Sequence, residues 1–245
     1  MKVSVVIVAG GLGTRMESSV AKQYLPVCGK PILAHTIRAF DTCKDVDEII
    51  ISVPEADMRY CDEKIVAPLY RNRLGHNKPD RNKKNSKKKI LLVRGGEQRQ
   101  DSVYNGLCAI RGKKDDIVLI HDGVRPFISA DNIAACISHA KLSGACILAI
   151  AAFDTLKKSN DFKNIESTLP RKNIYLAQTP QAFSYDIIMR AHEKARKDGF
   201  LGTDDASLVE RMQIPIKIID GSRFNIKITN REDLFLAESI MKSIV

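Results

Sequence analysis

Two short stretches carry residue types that can handle phosphate. In Ala9-Gly10-Gly11-Leu12-Gly13-Thr14-Arg15-Met16, three glycines fall within four positions, and Lys22-Gln23-Tyr24 follows. Glycines let backbone N–H groups approach an anion closely, and Arg15 and Lys22 add positive charge beside them. Neither of two familiar phosphate loops fits. A dinucleotide fingerprint requires glycine where Met16 stands, and a P-loop requires Gly-Lys-Ser/Thr where Gly13 is followed by Thr14-Arg15. The second stretch, His121-Asp122-Gly123-Val124-Arg125-Pro126, sets a carboxylate beside a cation. A carboxylate facing a phosphate loop is where a hard cation such as Mg2+ bridging triphosphate oxygens would be held. Asp before Gly is also ordinary turn chemistry. His121 reads as structural, because no His/Cys cluster accompanies it to form a transition-metal site.

Hydrophobic patterning places these stretches at the ends of strands. The apolar, β-branched run Val3 to Val8 predicts a strand buried on both faces. Helical spacing follows over Pro31 to Phe40, a strand over Val46 to Val53, and a helix from Glu55 to about Leu69. Ile90 to Val93 predicts a third strand ending in Gly95-Gly96, and Arg99 to Ile110 a helix. Ile117 to Ile120, Ser129 to Leu142 and Ala145 to Ala151 continue as strand, helix and strand. This alternation predicts an α/β fold, a Rossmann-like doubly wound and mostly parallel sheet with right-handed crossovers. Ligands in such folds sit at the carboxyl ends of the strands, which gathers Gly10 to Arg15, Gly95 to Arg99 and the segment after Ile120 along one edge.

The rhythm then breaks. Asp154 to Lys158 and Ile165 to Leu169 flank a polar turn and predict a hairpin extending from the sheet. Ile174 to Ala177 returns as a strand, Tyr185 to Lys197 as a helix, and Leu208 to Met212 as a helix preceded by Thr203 and Asp204, good N-cap residues. Ile216 to Ile219 reads as a strand, and Asn230 to about Ile244 as a closing amphipathic helix. Lys227 alternates with Ile226 and Ile228, which places it on one face of a strand, either the site face or the solvent face.

At 245 residues and 44% hydrophobic content the chain can bury a full core, and a single domain over 1-245 is expected. The six cysteines are scattered without a Cys-x-x-Cys pair, so neither a zinc site nor a disulfide framework is indicated. No run is long enough to span a membrane, and a cytoplasmic protein is expected. The net charge is +10, but residues 71-89 carry nine Lys/Arg against the single acid Asp80 and so account for +8 of it. That segment reads as a flexible, solvated insertion. A polyanion- or RNA-binding role for it is the rival reading, and the scarcity of aromatics to stack on bases weighs against it.

A glycine loop, a strand-tip carboxylate and the further cations Arg125, Arg171 and Lys227 suit in-line nucleotidyl transfer. A phosphate oxygen of one substrate attacks the α-phosphorus of a nucleoside triphosphate, and pyrophosphate leaves. The nucleophile is already anionic, so positioning and charge stabilisation suffice.

The loop Ala-Gly-Gly-x-Gly-Thr-Arg-Met resembles the signature of the nucleotidyltransferases that build nucleoside-diphosphate sugars and alcohols. Its spacing to Lys22-Gln23-Tyr24 resembles the cytidylyltransferase branch of that family. His121 to Pro126 is similar to the family's His-Asp-Ala-Ala-Arg-Pro, with Gly123-Val124 replacing Ala-Ala, and Gln178-Thr179-Pro180-Gln181-Ala182-Phe183 resembles another family segment. The resemblance implies CTP as donor, a phosphorylated polyol as acceptor, Mg2+ held by Asp122, and no organic cofactor. Arg15 and Lys22 would contact the triphosphate. Ala9, Gly10, Gly11, Gly13, Gly96 and Ser102 would bind the nucleotide, together with Glu97, which stands where the family carries Asp. Arg125, Thr155 and Thr179 would receive the acceptor, with Arg171 and Lys227 acting in catalysis. The resemblance further implies a homodimer in which an arm over 152-172 crosses the two-fold axis and carries Arg171 into the partner's site. On the residues alone, Arg171 is equally a solvated surface arginine. Lys22-Gln23-Tyr24 and Thr203-Asp204-Asp205-Ala206-Ser207 resemble the methylerythritol phosphate enzymes of isoprenoid precursor synthesis more than the ribitol phosphate ones. Uridylyl- and guanylyltransferases share the signature loop and differ in the base pocket.

Overall fold

The computed structural model describes residues 1–10, 20–69 and 88–244. Gly11, Gly13 and Arg15 lie outside the described residues, as does most of the basic insertion. Its last two residues are described: the Lys88 ammonium donates to the carbonyls of Phe40 and Cys43, and Lys89 opens a strand.

The strands, in chain order, are β1 (Val3–Val8), β2 (Pro26–Val27), β3 (Lys30–Pro31), β4 (Glu48–Val53), β5 (Lys89–Arg94), β6 (Ile117–Asp122), β7 (Ala145–Ala151), β8 (Leu156–Ser159), β9 (Ile165–Leu169), β10 (Tyr175–Ser184) and β11 (Lys217–Asp220). Seven form one sheet in the order β11-β7-β10-β6-β1-β4-β5. The pairs β6-β1, β1-β4, β4-β5 and β11-β7 are parallel, and β10 is antiparallel to both β6 and β7. The sheet is therefore mostly parallel, as the alternation predicts, and β1 lies inside it with both neighbours parallel.

The two-residue alternation along the strands decides which side chain meets which helix. From β1 and β4, Val5, Ile7, Ile49 and Ile51 pack on one face with Leu33, Ile37 and Phe40 of the helix Ile32–Thr42. Val6, Ile50, Val118 and Ile120 pack on the other face with Val103 and Leu107 of the helix Arg99–Ala109. Gly106 is required in that helix because a Cβ there would come 2.5 Å from Val6 Cγ1. A third cluster joins Val27, Ile32, Val124 and Phe127 to Ile228 and to Ala237 and Ile240 of the closing helix Arg231–Ile244.

Three local readings change. Lys227 is in irregular chain between Asp220 and Arg231 instead of in a strand. Its orientation still follows the alternation, because Ile226 and Ile228 are drawn into the third cluster and the Ile228 N–H donates to the Val124 carbonyl at 3.0 Å. The helix expected over Leu208 to Met212 is Asp205–Glu210, starting earlier because Asp204 is its N-cap and accepts from the Ser207 N–H at 2.9 Å. Finally, β10 continues through Gln178 to Phe183, where buried polar residues interrupt the apolar pattern. Their partners explain the interruption: Gln178 bonds Ser222, Gln181 bonds Asp204 and the Ala206 N–H, and Thr179 accepts from the Asp122 N–H.

The predicted hairpin forms as β8 paired antiparallel with β9. Every residue of β9 is exposed.

Candidate active site

The carboxyl ends of β1, β5 and β6 converge as the fold requires. β1 delivers Ala9 and Gly10, whose place is fixed from two sides. The Ala9 N–H donates to the Ser52 carbonyl at 2.8 Å, and the buried Gln23 amide donates to the Ala9 carbonyl at 2.8 Å. Gln23 belongs to a single helical turn, Lys22–Tyr24, so the same turn that grips the loop base presents Lys22. After β5 the chain bends through Gly95-Gly96 into the helix Arg99–Ala109. The Gly96 N–H donates to Ser102 Oγ at 3.0 Å, and Ser102 donates to the Gln98 carbonyl at 3.2 Å. A Cβ on Gly96 would lie 2.2 Å from Asp101 Cβ, so the bend requires glycine.

These residues line a cavity of about 270 Å³ bounded by Ala9, Gly10, Lys22, Gly96, Glu97 and Ser102, with Arg99, Asp122 and Lys227 on its far side. A second cavity of about 280 Å³ is lined by Arg125, Gln178, Thr179, Thr203 and Asp204, again with Arg99, Asp122 and Lys227. The two cavities share one wall.

Asp122, the last residue of β6, is the centre of that wall. It is 6% exposed. Its Oδ1 lies 3.2 Å from Arg99 Nε, and its Oδ2 lies 3.0 Å from Lys227 Nζ and 3.4 Å from Arg125 Nε. Burial pushes this carboxyl up, but Arg99, Lys227 and Arg125 outweigh it and hold the group well below the usual carboxylate range. Burial likewise disfavours the charge on Arg99, and Asp205 and Asp122 more than offset it. For Arg125 burial prevails, and its pKa is lowered.

His121 is fully buried and structural, as expected. Its Nε2 donates to the Arg125 carbonyl at 3.0 Å, which leaves Nδ1 to accept from the Thr179 hydroxyl at 3.1 Å. Thr179 Oγ1 in turn accepts from the Asp122 N–H at 3.1 Å. Burial pushes the His121 pKa down to about 4, so the ring is neutral and the network is complete in that state.

The profile of the 2-C-methyl-D-erythritol 4-phosphate cytidylyltransferase family matches residues 3–243. The chain belongs to this family. A 2-C-methyl-D-erythritol 4-phosphate cytidylyltransferase of Syntrophus aciditrophicus is 44% identical over 242 residues, covering 98% of this chain and 96% of that one. One of Geotalea uraniireducens is 44% identical over 245 residues, covering 100% of this chain and 98% of that one. Among solved structures, the Francisella tularensis 2-C-methyl-D-erythritol 4-phosphate cytidylyltransferase superposes with a TM-score of 0.78 at 30% identity, covering 98% of this chain and 100% of the other. Membership makes the chain a nucleotidyltransferase of the cytidylyltransferase type.

Of the residues expected from sequence, Ala9, Gly10, Lys22, Gly96, Glu97 and Ser102 line the first cavity, Arg125 and Thr179 the second, and Asp122 and Lys227 both. Thr155 and Arg171 line neither. Both are exposed, and the Arg171 guanidinium donates to the Phe153 carbonyl beside the hairpin. Arg99 was not singled out from sequence, although it follows Gly95-Gly96 by three positions and opens the next helix. Its importance depends on Asp122 and Asp205, which are 23 and 106 positions away.

Proposed function

We propose that the chain transfers a cytidylyl group from CTP to 2-C-methyl-D-erythritol 4-phosphate, releasing pyrophosphate and forming the CDP-alcohol of the non-mevalonate route to isoprenoid precursors. The observation that carries this reading, in a member of this family, is the pair of cavities divided by Arg99, Asp122 and Lys227. The glycine-edged cavity suits a nucleoside triphosphate: the backbone at Ala9, Gly10 and Gly96 allows close approach, and Lys22 faces the phosphates. The second cavity, with Arg125 and Thr179, suits a small phosphorylated polyol.

In this reading an oxygen of the acceptor phosphate attacks the α-phosphorus from the second cavity. The bond from the α-phosphorus to the oxygen bridging it to the β-phosphate breaks, and pyrophosphate leaves with the electron pair. Lys22 and Arg15 offset the charge that grows on the equatorial and leaving oxygens, and Lys227, on the dividing wall, faces both phosphates. No general base is required because the nucleophile is an anion.

The donor set at Asp122 bears on the metal. Among the described residues no group of three or more His, Cys, Asp or Glu could enclose an ion. A carboxylate offers about four acceptor positions, and the three cations leave one, on Oδ1. A hard cation that takes one carboxylate oxygen and completes its shell with triphosphate oxygens and water fits this donor set. Asp122 is the residue that would hold Mg2+, and the ion would supply charge neutralisation for the leaving pyrophosphate. No step calls for an organic cofactor.

We read residues 1-245 as one nucleotidyltransferase domain that works as a homodimer. Phe162, Ile165 and Leu169 on the hairpin and Ile174, Tyr175 and Leu176 beyond it are exposed apolar side chains, a surface that a second copy would cover. That arrangement would give Arg171 and Thr155 a site to serve. No helix among the described residues is long and apolar enough to cross a membrane.

Pyrophosphate release from CTP and Mg2+ with methylerythritol 4-phosphate or ribitol 5-phosphate tests the assignment. Turnover is expected with the former. Turnover confined to ribitol 5-phosphate would reassign the acceptor.

A further inference from the structure

Asp205 sits behind the shared wall. It is 1% exposed, opens the helix Asp205–Glu210, and lines neither cavity. Its Oδ2 accepts from Arg99 Nη1 at 2.8 Å, and its Oδ1 accepts from Nε2 of the fully buried His192 at 3.1 Å. A carboxylate this deep in the protein persists only where it is paired and hydrogen-bonded.

Arg99 is thereby held at two points, Nε on Asp122 and Nη1 on Asp205. A planar guanidinium can span two carboxylates in this way, whereas an ammonium is a single point charge. There is also an electrostatic consequence. Arg99, Arg125 and Lys227 all converge on Asp122. Counting Asp205, the cluster has three cations and two carboxylates, one positive charge in excess for incoming phosphate. Without Asp205 the Arg99 guanidinium is free to leave Asp122 for a substrate phosphate.

The helix that carries Asp205 is tied to the same strand that supports Asp122 from its other side. Gln181 of β10 donates to Asp204 Oδ2 at 2.6 Å and accepts from the Ala206 N–H at 3.0 Å. Thr179, two positions earlier on β10, holds the Asp122 backbone N–H.

We propose that Asp205 is a positioning residue of the transfer site: it fixes Arg99 from behind and so sets the Asp122 carboxylate where the two cavities meet. The proposal rests on the transferase reading above, and its test separates the two. The experiment compares Asp205→Asn, Arg99→Gln, their double variant and Arg99→Lys in the full chain, by steady-state kinetics with CTP, Mg2+ and methylerythritol 4-phosphate. Asp205→Asn should lower kcat/KM by about tenfold, the size of effect that loss of one oriented charged contact produces. Because Asp205 acts through Arg99, the double variant should be no slower than Arg99→Gln alone, and Arg99→Lys should be as impaired as Arg99→Gln. Multiplicative losses in the double variant, which a merely structural role would give, would overturn the proposal, as would full activity of Arg99→Lys. Arg99 is at the wall and one-third exposed, so the lysine variant decides the matter even where Asp205→Asn does not fold. A readout independent of turnover is the Nε–H resonance of Arg99 in NMR, identified by its loss in Arg99→Lys. It should exchange slowly with water in the wild-type protein and at least about tenfold faster in Asp205→Asn; equal exchange in both contradicts the clamp. Wild-type protein without turnover but with the protected Nε–H would count against the transferase reading and leave the clamp standing.

Discussion

At the scale of single residues, the site is a balance of charges whose members are separately testable. Lys22→Ala and Arg15→Ala remove the two cations that the proposed mechanism sets against the triphosphate, and each should lower kcat by on the order of a hundredfold, as loss of one oxyanion-type contact does. Near-wild-type rates in both would take them out of the chemistry. Gly96→Ala forces a methyl group to 2.2 Å from Asp101 Cβ, so the bend before the helix Arg99–Ala109 must shift. The expected result is a raised KM for CTP with little change in the KM for the acceptor, measured by initial rates. Asp205 makes a prediction in pH. Burial raises its pKa, but Arg99 and the His192 hydrogen bond outweigh burial and hold it below the usual carboxylate range. A carboxylate depressed in the folded state contributes stability that is fully present above its unfolded pKa of about 4 and is lost as pH falls through the lower folded value. Chemical denaturation of Asp205→Asn should therefore show a shallower loss of stability below about pH 4 than the wild-type protein shows. An unchanged slope would mean that Asp205 is not paired as described.

At the scale of elements, the pattern of legibility has physical causes. β1, β4, β6 and β7 are mostly apolar and mostly buried, and each was readable because its few polar residues, Ser4 in β1, Glu48 and Ser52 in β4, and His121 and Asp122 at the tip of β6, leave a recognisable apolar run. β10 was readable only in its first residues. From Gln178 onward it spends Gln178, Thr179 and Gln181 on contacts with other elements, and a side chain used in tertiary bonding breaks the local period. Lys227 shows the reverse: the alternation set it opposite Ile226 and Ile228 and left open whether that side was the site or solvent, and burial of the two isoleucines is achieved without strand pairing. The strand-end rule set Arg99 on the site edge, but its role stayed hidden because its two partners are brought to it by β6 and by the helix Asp205–Glu210, contacts no local window contains. The hairpin β8–β9 was legible as a hairpin, and its use is the testable part. A mixed dimer of an Arg171→Ala chain with a Lys22→Ala chain should regain part of the activity lost by each homodimer if the arm acts in trans. No recovery after subunit exchange would confine Arg171 to its own chain or to solvent. For the basic segment, deletion of residues 71–87 should leave cytidylyl transfer unchanged. Loss of transfer on deletion, or RNA binding that weakens steeply with salt and vanishes with the segment, would instead give it a function.

At the scale of the whole molecule, one sheet edge brings together residues from across the chain. β1 supplies Ala9 and Gly10, β5 the Gly95-Gly96 bend, β6 the central carboxylate, β10 the support beneath it, and the approach to the closing helix supplies Lys227. The order of strands explains why the site has two chambers. β1 and β6 are neighbours, so Ala9 and Gly10 line one cavity with the Asp122 carboxylate, and the antiparallel β10 beside β6 opens a second chamber lined by its own polar residues. The account that follows is direct transfer between chambers with no nucleophile from the protein. It is tested most directly with methylerythritol 4-phosphate carrying 18O in its phosphate, incubated with CTP and Mg2+ and followed by 31P NMR. The account predicts one pyrophosphate per CDP-alcohol formed, with labelled oxygen from the acceptor phosphate in the bridge to the transferred phosphorus. Pyrophosphate formed without acceptor, or a nucleotidylated protein accumulating from CTP alone, would contradict it.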